Sequence, residues 1–245
     1  MFSLCIPTID RYDTFLKKYL PLYLKIDLID EIIICDENGN DATKINRDFP
    51  NHPKIRIHTN ASKLGPFLNK MICCKMAKHE WIVLIDSDNF ADYNYFSVSK
   101  QFIETHNLKK NTILAPSWAK PNFNYSHLSN VCINKTNLKQ YSKDQLGYTG
   151  LTTFMNTGNY IINKYLINNI NLENDRELIM NSSACDVILF NVLLLEQLDL
   201  HIYIVPNLVY NHVVHNGSVY TTTVSHTRKY VNMVHHRYYN LVESI

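Results

Sequence analysis

The sequence predicts an α/β domain: a central, mostly parallel, twisted sheet flanked by helices. Three observations carry this reading. Short apolar, β-branched runs alternate with segments of helical period through residues 1–120. Each of the clearest runs closes on a cluster of polar residues. The spacing between runs suits right-handed crossovers between parallel strands.

Residues 2–6 form a short apolar strand stopped by Pro7-Thr8. Residues 11–24 place Phe15, Leu16, Tyr19 and Leu20 at helical spacing, with Pro21 a late interruption. Residues 31–35 are a β-branched run closed by the turn cluster at 36–40, and residues 54–58 read as a third strand. Pro66 suits the first turn of a helix whose apolar face includes Phe67, Met71, Cys74 and Ala77. Residues 81–85 form a strand without a polar residue, buried on both faces, that ends at Asp86. Beyond it the pattern loosens. A strand at 112–116, a long polar segment at 122–143, a strand around 160–162, an apolar helix at 184–198 and a strand at 202–205 follow. An amphipathic helix is expected from about 225 to 242. Without a repeat or a linker, the economical reading is one domain over 1–245: a nucleotide-binding half at 1–120, an acceptor and donor-sugar half at 121–220, and a C-terminal helix at 221–245.

Composition narrows the function. With 245 residues, 46% hydrophobic and 19% charged, the chain can bury a substantial core and is not of disordered type. Its 24 basic and 22 acidic side chains leave no clustered excess for duplex nucleic acid, so none is expected as a partner. An anionic small molecule needs only a local positive site. The six cysteines contain no C-x-x-C pair and read as reduced, mostly buried thiols. The most apolar stretch, residues 187–195, is too short to span a bilayer. With no signal-peptide pattern visible, a cytoplasmic location is expected, and the sequons at Asn60 and Asn216 carry no weight.

In a parallel α/β sheet, ligands bind beyond the carboxyl ends of the strands. The polar clusters at 7–11, 36–40 and 86–89 fall at such ends and should line one crevice. Asp86-Ser87-Asp88 presents two carboxylates directly after a buried strand. Hard divalent cations take oxygen ligands, often one or two carboxylates with phosphate oxygens completing the shell. The competing reading is an ordinary acidic turn in which Asp88 caps the helix expected near 94–106.

The order of motifs resembles the family 2-type glycosyltransferases of the GT-A fold. The resemblance runs through the opening strand and turn at 5–11, the second strand ending in Asp36, and the loop and Asn-bearing helix at 60–69 with altered spacing. It ends on the apolar strand leading to Asp86-Ser87-Asp88. It implies that Pro7, Thr8 and Arg11 line the nucleotide pocket and that Asp36 hydrogen-bonds the base. Lys63 would lie near the base or diphosphate, with Ser87 in the same pocket. Asp86 would face the ribose or the metal, and Asp88 would bind Mn²⁺ or Mg²⁺ directly.

Two later features extend the likeness. Asp186 opens an apolar helix where inverting relatives carry the general base, although Cys185 stands where the family usually has Glu. A His shortly before a Gly-Ser turn completes the metal shell in several relatives. Residues three apart in an extended stretch face opposite ways, so only one of His212 and His215 is expected to serve, and His215 is preferred because it abuts the turn. His226, His235 and His236 fall on the tail helix. Gly158, within Asn156-Thr157-Gly158-Asn159, would allow close backbone approach to the donor sugar.

The implied reaction moves a sugar from a nucleoside-diphosphate sugar such as a UDP-sugar to a hydroxyl acceptor, with inversion. Two alternatives are a nucleotidyltransferase, against which the Gly-free turn at 7–13 counts, and a non-catalytic nucleotide- or glycan-binding protein on the same scaffold.

Overall fold

Side chains two apart along a strand share a face, and β1 (Phe2–Thr8) and β2 (Ile29–Asp36) use both faces for core. Phe2, Leu4, Ile6, Ile32 and Ile34 pack into one apolar cluster, while Cys5, Ile33 and Cys35 pack into another on the opposite face. The computed structural model describes residues 1–142, 151–218, 223 and 225–244. Lys143, which ends the expected polar segment, and parts of the expected tail lie outside them.

In the first half the chain alternates as expected. The segment at Tyr12–Leu16 is a π-helical turn that runs into α1 (Lys17–Tyr23), so the single helix expected there begins irregularly. A second helix, α2 (Asn40–Asp48), follows the polar turn. Then come β3 (Ile55–Thr59), α3 (Pro66–Lys75), β4 (Trp81–Leu84) and α4 (Tyr93–Thr105). Pro66 opens α3 after Gly65, where a missing N–H does no harm. The cap of α4 is Asp92, which accepts from the N–H groups of Asn94 and Tyr95. Asp88 is therefore not the cap of that helix, and its carboxylate faces elsewhere.

Beyond α4 the sheet continues through β5 (Thr112–Lys120), β6 (Phe123–Asn124), β7 (Cys132–Ile133), β8 (Ile161–Asn163) and β9 (His201–Asn211). The strand order is β3-β2-β1-β4-β8-β5-β9-β7, with β6 paired to β5. The pairs β1–β2, β1–β4 and β2–β3 are parallel. The second half is mixed, because β8 enters antiparallel between β4 and β5 while β9 runs parallel to β5. Short helices α5 (Leu138–Ser142), α6 (Leu151–Phe154), α7 (Lys164–Asn169) and α8 (Arg176–Asn181) break the long connections.

Helix α9 (Asp186–Gln197) is buried continuously from Asp186 to Leu195. That is why it is apolar all round, as a helix inside a core must be. Its one buried amide, Asn191, donates to the Met155 carbonyl and the Tyr160 hydroxyl. The last helix, α10 (Arg228–Glu243), packs on α9 and buries Val234, Tyr238, Leu241 and Val242. Among the described residues no helix is long and apolar enough to cross a membrane.

The chain steps from β1 outward to β2 and β3, then returns to the other side of β1 as β4. The order therefore reverses between β1 and β4, the point at which a sheet of this kind offers a binding crevice beyond its carboxyl ends.

Candidate active site

One wall of the crevice is built from the ends of β1 and β2. The buried Asp41 carboxylate accepts from the Thr8 hydroxyl at 2.5 Å and from the backbone N–H groups of Arg11 and Tyr12 at 2.9 and 2.8 Å. It fixes the turn after β1 to the first turn of α2. Asp10, in the left-handed region at φ 53°, accepts from the side-chain amides of Asn38 and Asn40. The Asp36 carboxylate is fully buried and accepts from the N–H groups of Ala42 and Asn38. Burial raises its pKa above the ordinary aspartate value. Glu37, also buried, accepts from the Leu64 N–H and ties down the 60–65 loop, on which Lys63 is exposed.

The other wall follows β4. The Asp86 N–H donates to the Asn159 side chain at 2.7 Å, and Asn159 takes a left-handed φ of 56° to reach it. Ser87 is buried. Asn89 accepts from the Val213 N–H at 3.0 Å, which pins the segment after β9 beside the triplet. That segment brings His215 Nε2 to 2.9 Å from Asp88 Oδ2. Burial and then the neighbouring Asp86 carboxylate push Asp88 up from its ordinary pKa, against the pull of His215 and Arg11. The His215 ring lies 5.2 Å from that of Phe15, and the Arg11 guanidinium donates to the Gly217 carbonyl. A Cβ on Gly217 would stand 3.3 Å from the His215 ring, so any larger residue there would press on that ring.

His212 goes elsewhere. Asn122 donates to its Nδ1 at 2.8 Å and its ring packs edge-on against Phe123. Burial lowers its pKa. Of the two histidines, His215 is the one brought to the triplet.

The floor is supplied by α3 and α9. Asp186, the first residue of α9, is buried, and its Oδ2 lies 2.9 Å from Lys70 Nζ. The same ammonium lies 3.2 Å from Asp86 Oδ1. Burial opposes the Lys70 charge, but the Asp186 and Asp86 carboxylates outweigh it and raise the lysine pKa. Burial pushes Asp186 above its ordinary pKa, against Lys70. Gly158, at φ 58°, approaches Val187 so closely that a Cβ would meet its Cγ2 at 3.2 Å.

Contacts thus link Thr8 and Arg11, through Asp41 and the Gly217 turn, to His215, Asp88, Asp86 and Asp186, with Ser87 between the two acids of the triplet and Pro7 buried within β1. Lys70 escapes a reading of the sequence, while Asn159 and Asp41 enter it only as members of the segment at 156–159 and of the polar turn after Asp36. Lys70 left one signal, a lysine at 70 on the face marked by Phe67, Met71 and Cys74. Among the described residues no three His, Cys, Asp or Glu side chains converge as a metal cage. Asp86 faces Lys70, which leaves Asp88 and His215 as neighbouring donors. One carboxylate and one imidazole suit Mn²⁺, with diphosphate oxygens and water for the remaining positions.

The family model described as Glycosyl transferase family 2 matches residues 3–169. The chain belongs to glycosyltransferase family 2. Its fold is the GT-A fold expected from the motifs. Among solved structures it is similar to S. aureus TarS 1–349 in complex with UDP (TM-score 0.63, 15% identity, 95% of this chain and 64% of that one). It is likewise similar to S. aureus TarS 1–349 in complex with UDP-GlcNAc (TM-score 0.64, 14% identity, 96% of this chain and 66% of that one). The chain therefore spans just under two thirds of these relatives, and the likeness carries the fold alone. No curated protein sequence matches it.

Proposed function

We propose that this glycosyltransferase moves a sugar from a nucleoside-diphosphate sugar, of the UDP class, to a hydroxyl acceptor with inversion at the anomeric carbon. The observation that carries this is the meeting of Asp86, Asp88 and Asp186 at the reversal point of the sheet, with Asp86 and Asp186 on one ammonium. The UDP class is taken from the TarS complexes with UDP and UDP-GlcNAc.

Thr8 and Arg11 line the nucleotide side, and Arg11 is the cation within reach of a diphosphate at Asp88. Asp36 and Lys63 border the base, Asp36 through the backbone it caps. Asp88 and His215 would hold the divalent cation, which when bound neutralises charge on the leaving diphosphate. Asp186 is the general base. It takes the acceptor proton as the acceptor oxygen bonds to the anomeric carbon, and the bond from that carbon to the diphosphate oxygen breaks with its electron pair leaving on the diphosphate.

The decisive experiment is a screen of donor hydrolysis with Mn²⁺ across UDP-, GDP- and CMP-sugars, with UDP binding followed by thermal shift. The expected result is slow release of UDP from a UDP-sugar and a Mn²⁺-dependent rise in melting temperature with UDP. Neither hydrolysis of any donor nor a response to any nucleotide would sink the reading.

A further inference from the structure

Lys70 joins three elements far apart in sequence. It stands on α3, and its ammonium touches Asp86 just past β4 and Asp186 at the start of α9. Its side chain is 16% exposed and that of Asp186 11%. Beside the pair lies a cavity of about 20 Å³ lined by Phe67, Met71, Leu84, Tyr160, Val187 and Phe190, room for roughly one water. In such apolar surroundings charges are weakly screened, and a buried charge that loses its partner is strongly disfavoured. The Asp186 carboxylate therefore cannot turn away without losing the ammonium that offsets its buried charge.

We propose that Lys70 is a positioning residue for transfer, fixing Asp186 at a set distance from the donor-side carboxylate Asp86. The inference rests on the transferase reading above. It gives the lysine a role that an ordinary stabilising ion pair would lack, because displacing the base by about 1 Å can lower the rate roughly 100-fold. The geometry also explains why a lysine sits on an otherwise apolar helix face.

The test compares Lys70→Met, Lys70→Arg, Asp186→Asn and the double variant Lys70→Met/Asp186→Asn. UDP-GlcNAc hydrolysis with Mn²⁺ and melting temperature are measured for each. Lys70→Met is expected to lower kcat about 100-fold with little change in KM. Lys70→Arg, which keeps a cation, should recover part of the rate. The double variant should be no slower than Asp186→Asn alone, since removing the base removes what Lys70 acts through.

Wild-type kcat in Lys70→Met overturns the positioning role and leaves a structural ion pair. Losses that multiply in the double variant also overturn it, because Lys70 then acts independently of Asp186. If Lys70→Met does not fold, the double variant, which lacks the stranded aspartate charge, carries the comparison by the same criterion. A wild-type chain that turns over no nucleotide sugar overturns the transferase reading and the positioning role with it. In that case coupled melting temperatures of the Lys70 and Asp186 variants would show that the ion pair itself still stands.

Discussion

On the β1–β2 wall the carboxylates of Asp36 and Asp41 accept from backbone N–H groups, those of Ala42, Asn38, Arg11 and Tyr12. On the β4–α9 wall the carboxylates of Asp86, Asp88 and Asp186 face the ammonium of Lys70 or the imidazole of His215. The first kind of carboxylate is part of the scaffold, because leaving its place strands buried donors at about 1–3 kcal/mol each. The second kind faces side-chain cations: the imidazole beside Asp88 would give way to a bound divalent cation, whereas the buried Lys70 holds Asp86 and Asp186 in place. Two walls with similar numbers of acids thus differ in kind, and in the proposed reaction the first would shape the nucleotide pocket while the second would hold the reacting groups.

The largest expected effect lies on the reactive wall. Asp186→Asn should lower kcat for UDP-GlcNAc turnover by about 10²–10⁴-fold, the usual contribution of a general base, with UDP affinity retained. The pH profile sharpens this. Burial holds the Asp186 pKa above the ordinary value of 3.8, and only the ionised carboxylate can take a proton. Activity in the wild-type chain should therefore fall as pH drops through that raised value, at a higher pH than an exposed aspartate would give. An acid limb at the ordinary aspartate value, or full activity in Asp186→Asn, would remove the base from this residue.

The scaffold wall should respond in the opposite currency. Asp41→Ala strands the Thr8 hydroxyl and two backbone N–H groups and should destabilise the fold by about 3 kcal/mol, read as a lower midpoint in urea. If Asp41→Ala is as stable as the wild type, the distinction between the walls collapses.

This contrast also marks how far the sequence could be read. β2 and β4 were legible because their apolar runs lead directly to Asp36 and Asp86, and β1 because its short apolar stretch stops at Pro7-Thr8. The position of Asp86, Asp88 and Asp186 around one crevice follows from that and from the family likeness. Helix α2 was not legible: it begins at Asn40 after Gly39 in a left-handed conformation, and Ala42 and Ile45 are its only buried apolar residues. Its role depends on Asp41, whose partners come from 30 residues away. Lys70 was hidden for a similar reason, since its two partners lie on other elements and only the folded sheet brings them together. His215 was preferred to His212 in the sequence because it abuts the Gly-Ser turn, and the structure adds that Asn122 holds His212 away.

The smallest expected effect tests the triplet itself against its neighbour. Sequence allowed Asp88 to be either a helix cap or a metal donor, and the structure gives the cap to Asp92. Asp92→Ala should therefore cost about 1 kcal/mol of stability, the usual value of an N-cap, and leave Mn²⁺-dependent UDP binding unchanged. Asp88→Ala should do the reverse. It frees His215 from a buried carboxylate at little cost to the fold and removes the Mn²⁺-dependent part of UDP affinity, measured by calorimetry with and without the metal. Equal loss of metal-dependent binding in both variants would mean that the turn as a whole, and not the Asp88 carboxylate, carries the site. Opposite signatures from two aspartates four residues apart would place the division between scaffold and chemistry inside a single loop.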